Sequence, residues 1–138
     1  MIFFKFNKVF FMMAIKLFSF HELPRSLANE MFFLRFETFK ERLNWKVVGD
    51  SHMEFDEYDN ENASYLLGFD CENLVCGVRL IDLKFPNMII NTFSDFFDSI
   101  NLPQGHFLES SRIFVDKKGK ETALKRFYYK SKVVFGND

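Results

Sequence analysis

The hydrophobic positions of this chain change period several times, and each change marks an element. Residues 14–20 are mostly apolar, with Lys16 and Ser19 interspersed, and read as a first strand. Pro24 then opens a helix, because its fixed φ suits the first helical turn. Phe32, Phe36, Phe39 and Leu43 recur at i, i+4, i+7 and i+11, so this helix is expected to run to about Leu43 with the four on one stripe. Asn44–Asn62 shows no clear period. Ser64–Phe69 and Leu74–Leu83 read as two strands joined by the turn Asp70–Asn73. In the second, Val75, Gly77, Arg79, Ile81 and Leu83 alternate onto one face. Past Pro86, helical spacing returns at Ile89, Phe93, Phe96 and Ile100, which makes Phe93 a core residue by default. Phe107–Asp116 is the last strand. From Lys117 onward, Leu124, Phe127, Tyr128 and Val134 form the apolar stripe of a basic helix.

Several polar residues interrupt these patterns. Glu109, Ser110, Ser111 and Arg112 sit inside a strand flanked by Phe107, Leu108, Ile113, Phe114 and Val115. Alternation sends Glu109 and Ser111 to one face and Ser110 and Arg112 to the other. Burying such charges costs several kcal/mol each unless they are paired. The strand is therefore either an edge with solvated charges or the wall of a polar cleft. Arg79 is likewise a charge among apolar neighbours. Arg35 reads as a surface charge, as a single helical arginine does by default, on the face it shares with Phe39. Between Asp50 and Asn62, Asp50, Glu54, Asp56, Glu57, Asp59 and Glu61 occur with no Lys or Arg. That run is either a solvated acidic loop or a functional one. It does not fit a calcium loop, which needs a glycine at its sharp turn. In the tail, Lys117, Lys118, Lys120, Lys125, Arg126, Lys130 and Lys132 stand against Glu121. Such a face is either solvated or suited to an acidic partner or a membrane surface.

Composition narrows the classes. A chain of 138 residues makes one domain with room for a core, and 48% hydrophobic content with 21 Phe excludes a disordered tail. A net charge of −1 argues against general nucleic-acid binding. Cys71 and Cys76 lack a second pair, and His21, His52 and His106 are scattered, so no metal set is expected and the thiols read as reduced, in a cytoplasmic protein. Residues 1–12 form an apolar N-terminal extension before a domain at 13–138. Across Met1–Phe20, Lys5, Lys8 and Lys16 interrupt the apolar run, so that stretch fits neither a signal peptide nor a membrane span.

The polar oddities also form one ordered pattern: Arg35-x3-Phe39-x2-Arg42-x2-Trp45-x-Val47-x6-Glu54-x-Asp56-x-Tyr58-Asp59. It continues through Val75-Cys-Gly-Val-Arg79-Leu, Pro86-Asn-Met-Ile, Phe93 and Glu109-Ser-Ser-Arg112-Ile-Phe-Val115. Over roughly residues 14–135 this resembles the acyl-homoserine-lactone synthases, the LuxI-type autoinducer synthases of bacterial quorum sensing. Ile113 departs from the aromatic residue common at that position.

The resemblance implies an α/β fold related to the N-acetyltransferases, a mixed twisted sheet flanked by helices. Family chains continue past the helix near Lys120, so this chain is expected to lack the C-terminal strands. It implies an acyltransferase that takes S-adenosylmethionine as substrate, with no separate cofactor. The acyl group comes from an acyl-acyl carrier protein, and methylthioadenosine is released. In that setting Glu109 is the candidate base for the substrate amine, and Ser111 the candidate donor to the thioester oxygen. Glu54, Asp56 and Asp59 suit the substrate's positive charges or hold their loop closed. Arg35, Arg79 and Arg112 grip its carboxylate or lock that loop. Trp45, Phe39 and Phe93 suit the sulfonium and adenine. Lys117, Lys118, Lys120, Lys125 and Arg126 suit docking of an acidic carrier protein. The alternatives are a truncated homologue that at most binds S-adenosylmethionine or a partner, and a general N-acetyltransferase. The second lacks a glycine-rich pyrophosphate loop, Gly119 being the only glycine near the candidate helix.

Overall fold

The computed structural model describes residues 4–6, 9–11, 13–42, 44, 52–101 and 105–117. Strands β1 (Phe4–Phe6) and β2 (Val9–Phe11) pair antiparallel in a small sheet of their own within the 1–12 extension. The main sheet has the order β3-β4-β5-β6, with β3 at Met13–Ser19, β4 at Ala63–Asp70, β5 at Asn73–Asp82 and β6 at Leu108–Val115. Every neighbouring pair in it is antiparallel. Helix α1 (Arg25–Phe36) follows Pro24 and continues as a π-helical segment, Glu37–Arg42. Its backbone lies nearest β5 and β6. A short helix α2 (Met88–Asn91) and a 3-10 turn (Ser94–Phe96) lie between β5 and β6.

The core lies on the sheet face that carries Phe18, Ala63, Tyr65, Leu67, Ile81 and Phe114, packed against Met31 and Leu34 of α1. Alternation in β4 and β5 produces that face, as a period of two requires. Gly77 is needed there. A Cβ would stand 2.6 Å from Leu67 Cδ2 and 2.7 Å from Phe114 Cε1, inside any normal contact. The opposite face exposes Leu17 and Ile113.

Three readings from the sequence change. First, the phenylalanine stripe is fully buried only at Phe39, Leu43 lying outside the described residues. Met31, Leu34 and Arg35 are the buried residues of α1, whereas Phe32 and Phe36 are half-buried against Phe55 and His52. Arg35 is thus no surface charge. Second, Ile89, Phe93, Phe96 and Ile100 do not share one helix, because α2 ends at Asn91 and a 3-10 turn follows. Phe93 is exposed, its ring tilted on Phe96 at 6.0 Å, and is not core. Third, β6 does not alternate throughout. The register shifts between Gly77 and Arg79 of β5, and Arg112 adopts φ 54°. One extra residue in β6 there turns Arg112 onto the same face as Glu109 and Ser111, instead of the opposite one.

Candidate active site

Register builds the site on the inner face of the sheet. Tyr65 of β4 stands opposite Arg79 of β5, Arg79 opposite Ser111 of β6, and Ile81 opposite Glu109. The acidic segment 54–59 crosses above these residues, held to α1 by the Glu54 N–H donating to the Phe32 carbonyl at 3.0 Å. Its Asp56–Asp59 turn is closed by its own side chains. The Tyr58 N–H donates to Asp56 Oδ1, and the Asp56 N–H to Asp59 Oδ2, both at 2.9 Å.

Three guanidinium groups and three carboxylates then interlock. Arg35 reaches Glu54 Oε2 with Nε at 2.6 Å and grips Asp59 with both terminal nitrogens at 2.8 and 2.9 Å. Arg79 forks onto both oxygens of Asp56, touches Asp59 Oδ1 at 3.2 Å, and donates from Nε to Ser111 Oγ at 3.2 Å. Arg112 donates from Nε to Glu54 Oε1 at 2.9 Å and meets Asp56 Oδ2 with Nη2 at the same distance. The Tyr65 hydroxyl donates to Asp59 Oδ1 at 2.9 Å. Each charge is matched, so the lattice is formally neutral. Aromatic faces complete it: Phe32 under Arg35, Tyr58 under Arg79 and Phe39 under Arg112, with the guanidinium carbons 5.4–5.7 Å from the ring centroids.

Burial gives this lattice its electrostatic character. Arg35, Arg79 and Glu54 are within 1% of complete burial. Desolvation alone would raise the pKa of Asp59, but the Arg35 and Arg79 charges and the Asp56 amide outweigh it and hold the carboxyl below its ordinary range. Burial likewise favours a neutral arginine, and the facing carboxylates reverse this, so Arg35 and Arg79 are held more firmly protonated than usual. Tyr65 is pushed far up by burial and by the Asp59 charge its hydroxyl faces. Such a lattice holds together as a unit, since removing one partner strands another charge in low dielectric.

Glu109 stands beside it. Its side chain is buried, and Oε2 accepts the Met88 N–H at 3.0 Å, at the start of α2. Among the described residues, no buried side-chain nitrogen or oxygen lacks a partner. Oε1 has none there, so it is the oxygen that reaches solvent. The Ser111 hydroxyl accepts from Arg79, which leaves its own proton to donate elsewhere.

The site therefore brings together Arg35, Phe39, Glu54, Asp56, Asp59, Arg79, Glu109, Ser111 and Arg112. Phe93 lies just beyond α2 at the surface. Lys117 is exposed at the end of β6, while Trp45, Lys118, Lys120, Lys125 and Arg126 lie outside the described residues. Residues that the sequence reading passed over also take part: Tyr65 on Asp59, Asn87 as the N-cap of α2, and Met88, whose Sδ lies 3.6 Å from Arg112 Nη1. The Asn87–Met88 pair sits inside the Pro86-Asn-Met-Ile run, which was its visible signal.

The fold is that of the acyl-homoserine-lactone synthases. It superposes on the crystal structure of the AHL synthase LasI with a TM-score of 0.70 and 27% identity, covering 89% of this chain and 66% of that one. The CoA-dependent synthase BjaI, solved with SAM and isopentyl-CoA, gives a TM-score of 0.63 at 27% identity over 77% of this chain and 52% of that one. Residues 19–136 match the autoinducer synthase family, and the chain belongs to that family. It is 50% identical to the acyl-homoserine-lactone synthase of Yersinia ruckeri, over 85% of this chain and 54% of that protein. With the synthase of Pectobacterium parmentieri the identity is 47%, over 82% and 52%. The chain thus spans about half the length of these curated relatives.

Proposed function

We propose that the inner face of the sheet binds S-adenosylmethionine and directs its amino group onto an acyl thioester, making an acyl-homoserine lactone. The observation that carries this reading is the placement of Glu109 and Ser111 side by side on β6, beneath a turn that the lattice holds in one conformation. The lattice carboxylates are already paired with arginines, which favours loop-locking as the work of Arg35, Arg79, Arg112, Glu54, Asp56 and Asp59. Arg112 occupies the Phe39 ring with its own cation, so Phe39 supports the lattice. Trp45 and Phe93 are then the aromatic candidates for the sulfonium and adenine.

The chemistry follows from the two β6 side chains. Oε1 of Glu109 takes a proton from the substrate ammonium, directly or through water, and frees the lone pair. The nitrogen attacks the thioester carbonyl, and the Ser111 hydroxyl donates to the oxygen as negative charge develops. Collapse of the adduct expels the carrier thiol and leaves an amide. The substrate carboxylate then attacks the γ-carbon of the methionyl chain, breaking its bond to the sulfonium sulfur, closing the lactone and expelling methylthioadenosine. No enzyme-bound acyl intermediate is required. The acyl donor is an acyl-acyl carrier protein, docked on the basic run Lys117, Lys118, Lys120, Lys125 and Arg126, in the cytoplasm. Among the described residues, no helix is long and apolar enough to cross a membrane.

Methylthioadenosine release tests the reading, measured with S-adenosylmethionine and either acyl-acyl carrier protein or acyl-CoA. Release that depends on the carrier protein is expected. Release with acyl-CoA alone would replace the proposed donor, as in the CoA-dependent BjaI. Binding of S-adenosylmethionine with no release from any donor would reduce the function to ligand binding.

A further inference from the structure

One short helix is tied at both ends to the site. At its start, Met88 donates its N–H to Glu109 Oε2 at 3.0 Å. Just past its end, Thr92 Oγ1 lies 2.7 Å from the Tyr58 hydroxyl, on the acidic turn. Between these two ties, the Thr92 and Phe93 N–H groups both donate to the Met88 carbonyl, at 3.1 and 2.8 Å. The fully buried Asn87 stiffens the start, receiving the Ile90 N–H on Oδ1 and donating Nδ2 to the Phe85 carbonyl. A single helical turn therefore links the Tyr58 hydroxyl to the Glu109 carboxylate.

We propose that Tyr58 is a positioning residue: acting through Thr92 and α2, its hydroxyl sets where the Glu109 carboxylate stands. The inference rests on the reading of Glu109 as the base. The tyrosine ring and hydroxyl have separate tasks. The ring lies under Arg79, 5.7 Å from its guanidinium carbon, and belongs to the lattice. The hydroxyl leaves the lattice and reaches α2. Tyr58→Phe keeps the first contact and removes the second. Thr92 is exposed, so Thr92→Val removes the same bond from the other side with no core packing at stake.

The test combines amide hydrogen exchange with steady-state kinetics on the full chain. Tyr58→Phe is expected to speed exchange at the Met88 and Ile90 amides by about fivefold, the value of one hydrogen bond, with the β4 and β5 amides unchanged. With acyl-acyl carrier protein as donor, kcat for methylthioadenosine release falls by roughly tenfold at constant KM for S-adenosylmethionine, because the base is displaced and binding is not. Thr92→Val should reproduce both effects, the double variant should be no worse than either single one, and Thr92→Ser should restore them. Unchanged Met88 exchange in Tyr58→Phe and Thr92→Val overturns the proposal, as do additive effects in the double variant. If the unaltered chain binds S-adenosylmethionine but releases nothing, the catalytic reading has failed, and the exchange data alone decide whether the tie to α2 exists.

Discussion

Replacing Asp59 with asparagine is the sharpest perturbation of the buried lattice. Asp59 receives both terminal nitrogens of Arg35, the Tyr65 hydroxyl and the Asp56 amide, and lies 3.2 Å from Arg79. Asparagine keeps the shape but replaces one oxygen with an amide NH2, which faces a guanidinium donor in either orientation. It also removes the negative charge that offsets Arg35. Breaking a buried pair by neutralising one partner costs about 3–5 kcal/mol, because the remaining charge is left uncompensated. For a chain of this size that is a fall in Tm of about 10–20 °C. Urea denaturation at neutral pH measures the loss, and its pH dependence identifies the source. The folded-state pKa of Asp59 is depressed, so its contribution is complete above the unfolded value of about 3.9 and is lost as pH falls through the folded value. The stability gap between the natural chain and Asp59→Asn should stay constant down to about pH 4 and narrow below it. A loss under about 1 kcal/mol at neutral pH would place these pairs with ordinary surface ion pairs and refute the reasoning.

Further outcomes follow from other contacts. Tyr65→Phe should cost about 1 kcal/mol at neutral pH for its bond to Asp59. Because the folded phenol titrates well above its unfolded value of about 10, the natural chain loses stability as pH rises past that value, and the gap to Tyr65→Phe narrows there. A gap that widens in alkali would reverse the sign of the argument. Gly77→Ala should destabilise by about 1–3 kcal/mol in chemical denaturation, since its methyl group meets Leu67 and Phe114 within 2.8 Å, and neutrality would show that these side chains yield freely.

The sequence made α1 and β3 to β6 legible because each has a strong local period or a clear boundary, but not β1 and β2 in the extension or the break after α2. Pro24 marks the helix start, and the Asp70–Asn73 turn sets the β4–β5 hairpin. It did not reveal how the charges meet, because two register shifts intervene. Continued from the pairing of Asp70 with Asn73, regular register would set Tyr65 opposite Val78. A shift between Gly68 and Phe69 sets it opposite Arg79 instead, beneath Asp59. A second shift, at Gly77–Arg79, turns Arg112 inward through a left-handed φ that no arginine prefers, at a cost of about 1–3 kcal/mol that its contacts with Glu54 and Asp56 offset. Gly68 and Gly77 lie beside the two shifts, but no glycine or proline marks the left-handed backbone at Arg112 itself. The burial of Arg35 was equally hidden, since its partners lie 19 and 24 residues away. The family pattern named these residues as a set, and the structure shows the set to be one interlocked lattice.

In the proposed reaction Glu109 acts through its free oxygen on a substrate held beside the lattice. Glu109→Gln tests it most directly, because the glutamine carbonyl can still accept the Met88 N–H and keep α2 in place, while the basic oxygen is lost. Calorimetric titration with S-adenosylmethionine and methylthioadenosine release should be measured together on the natural chain and the variant. Affinity is expected to stay within about twofold while release falls by at least about a hundredfold, the scale of a general base. Release that continues at the natural rate in Glu109→Gln would contradict it.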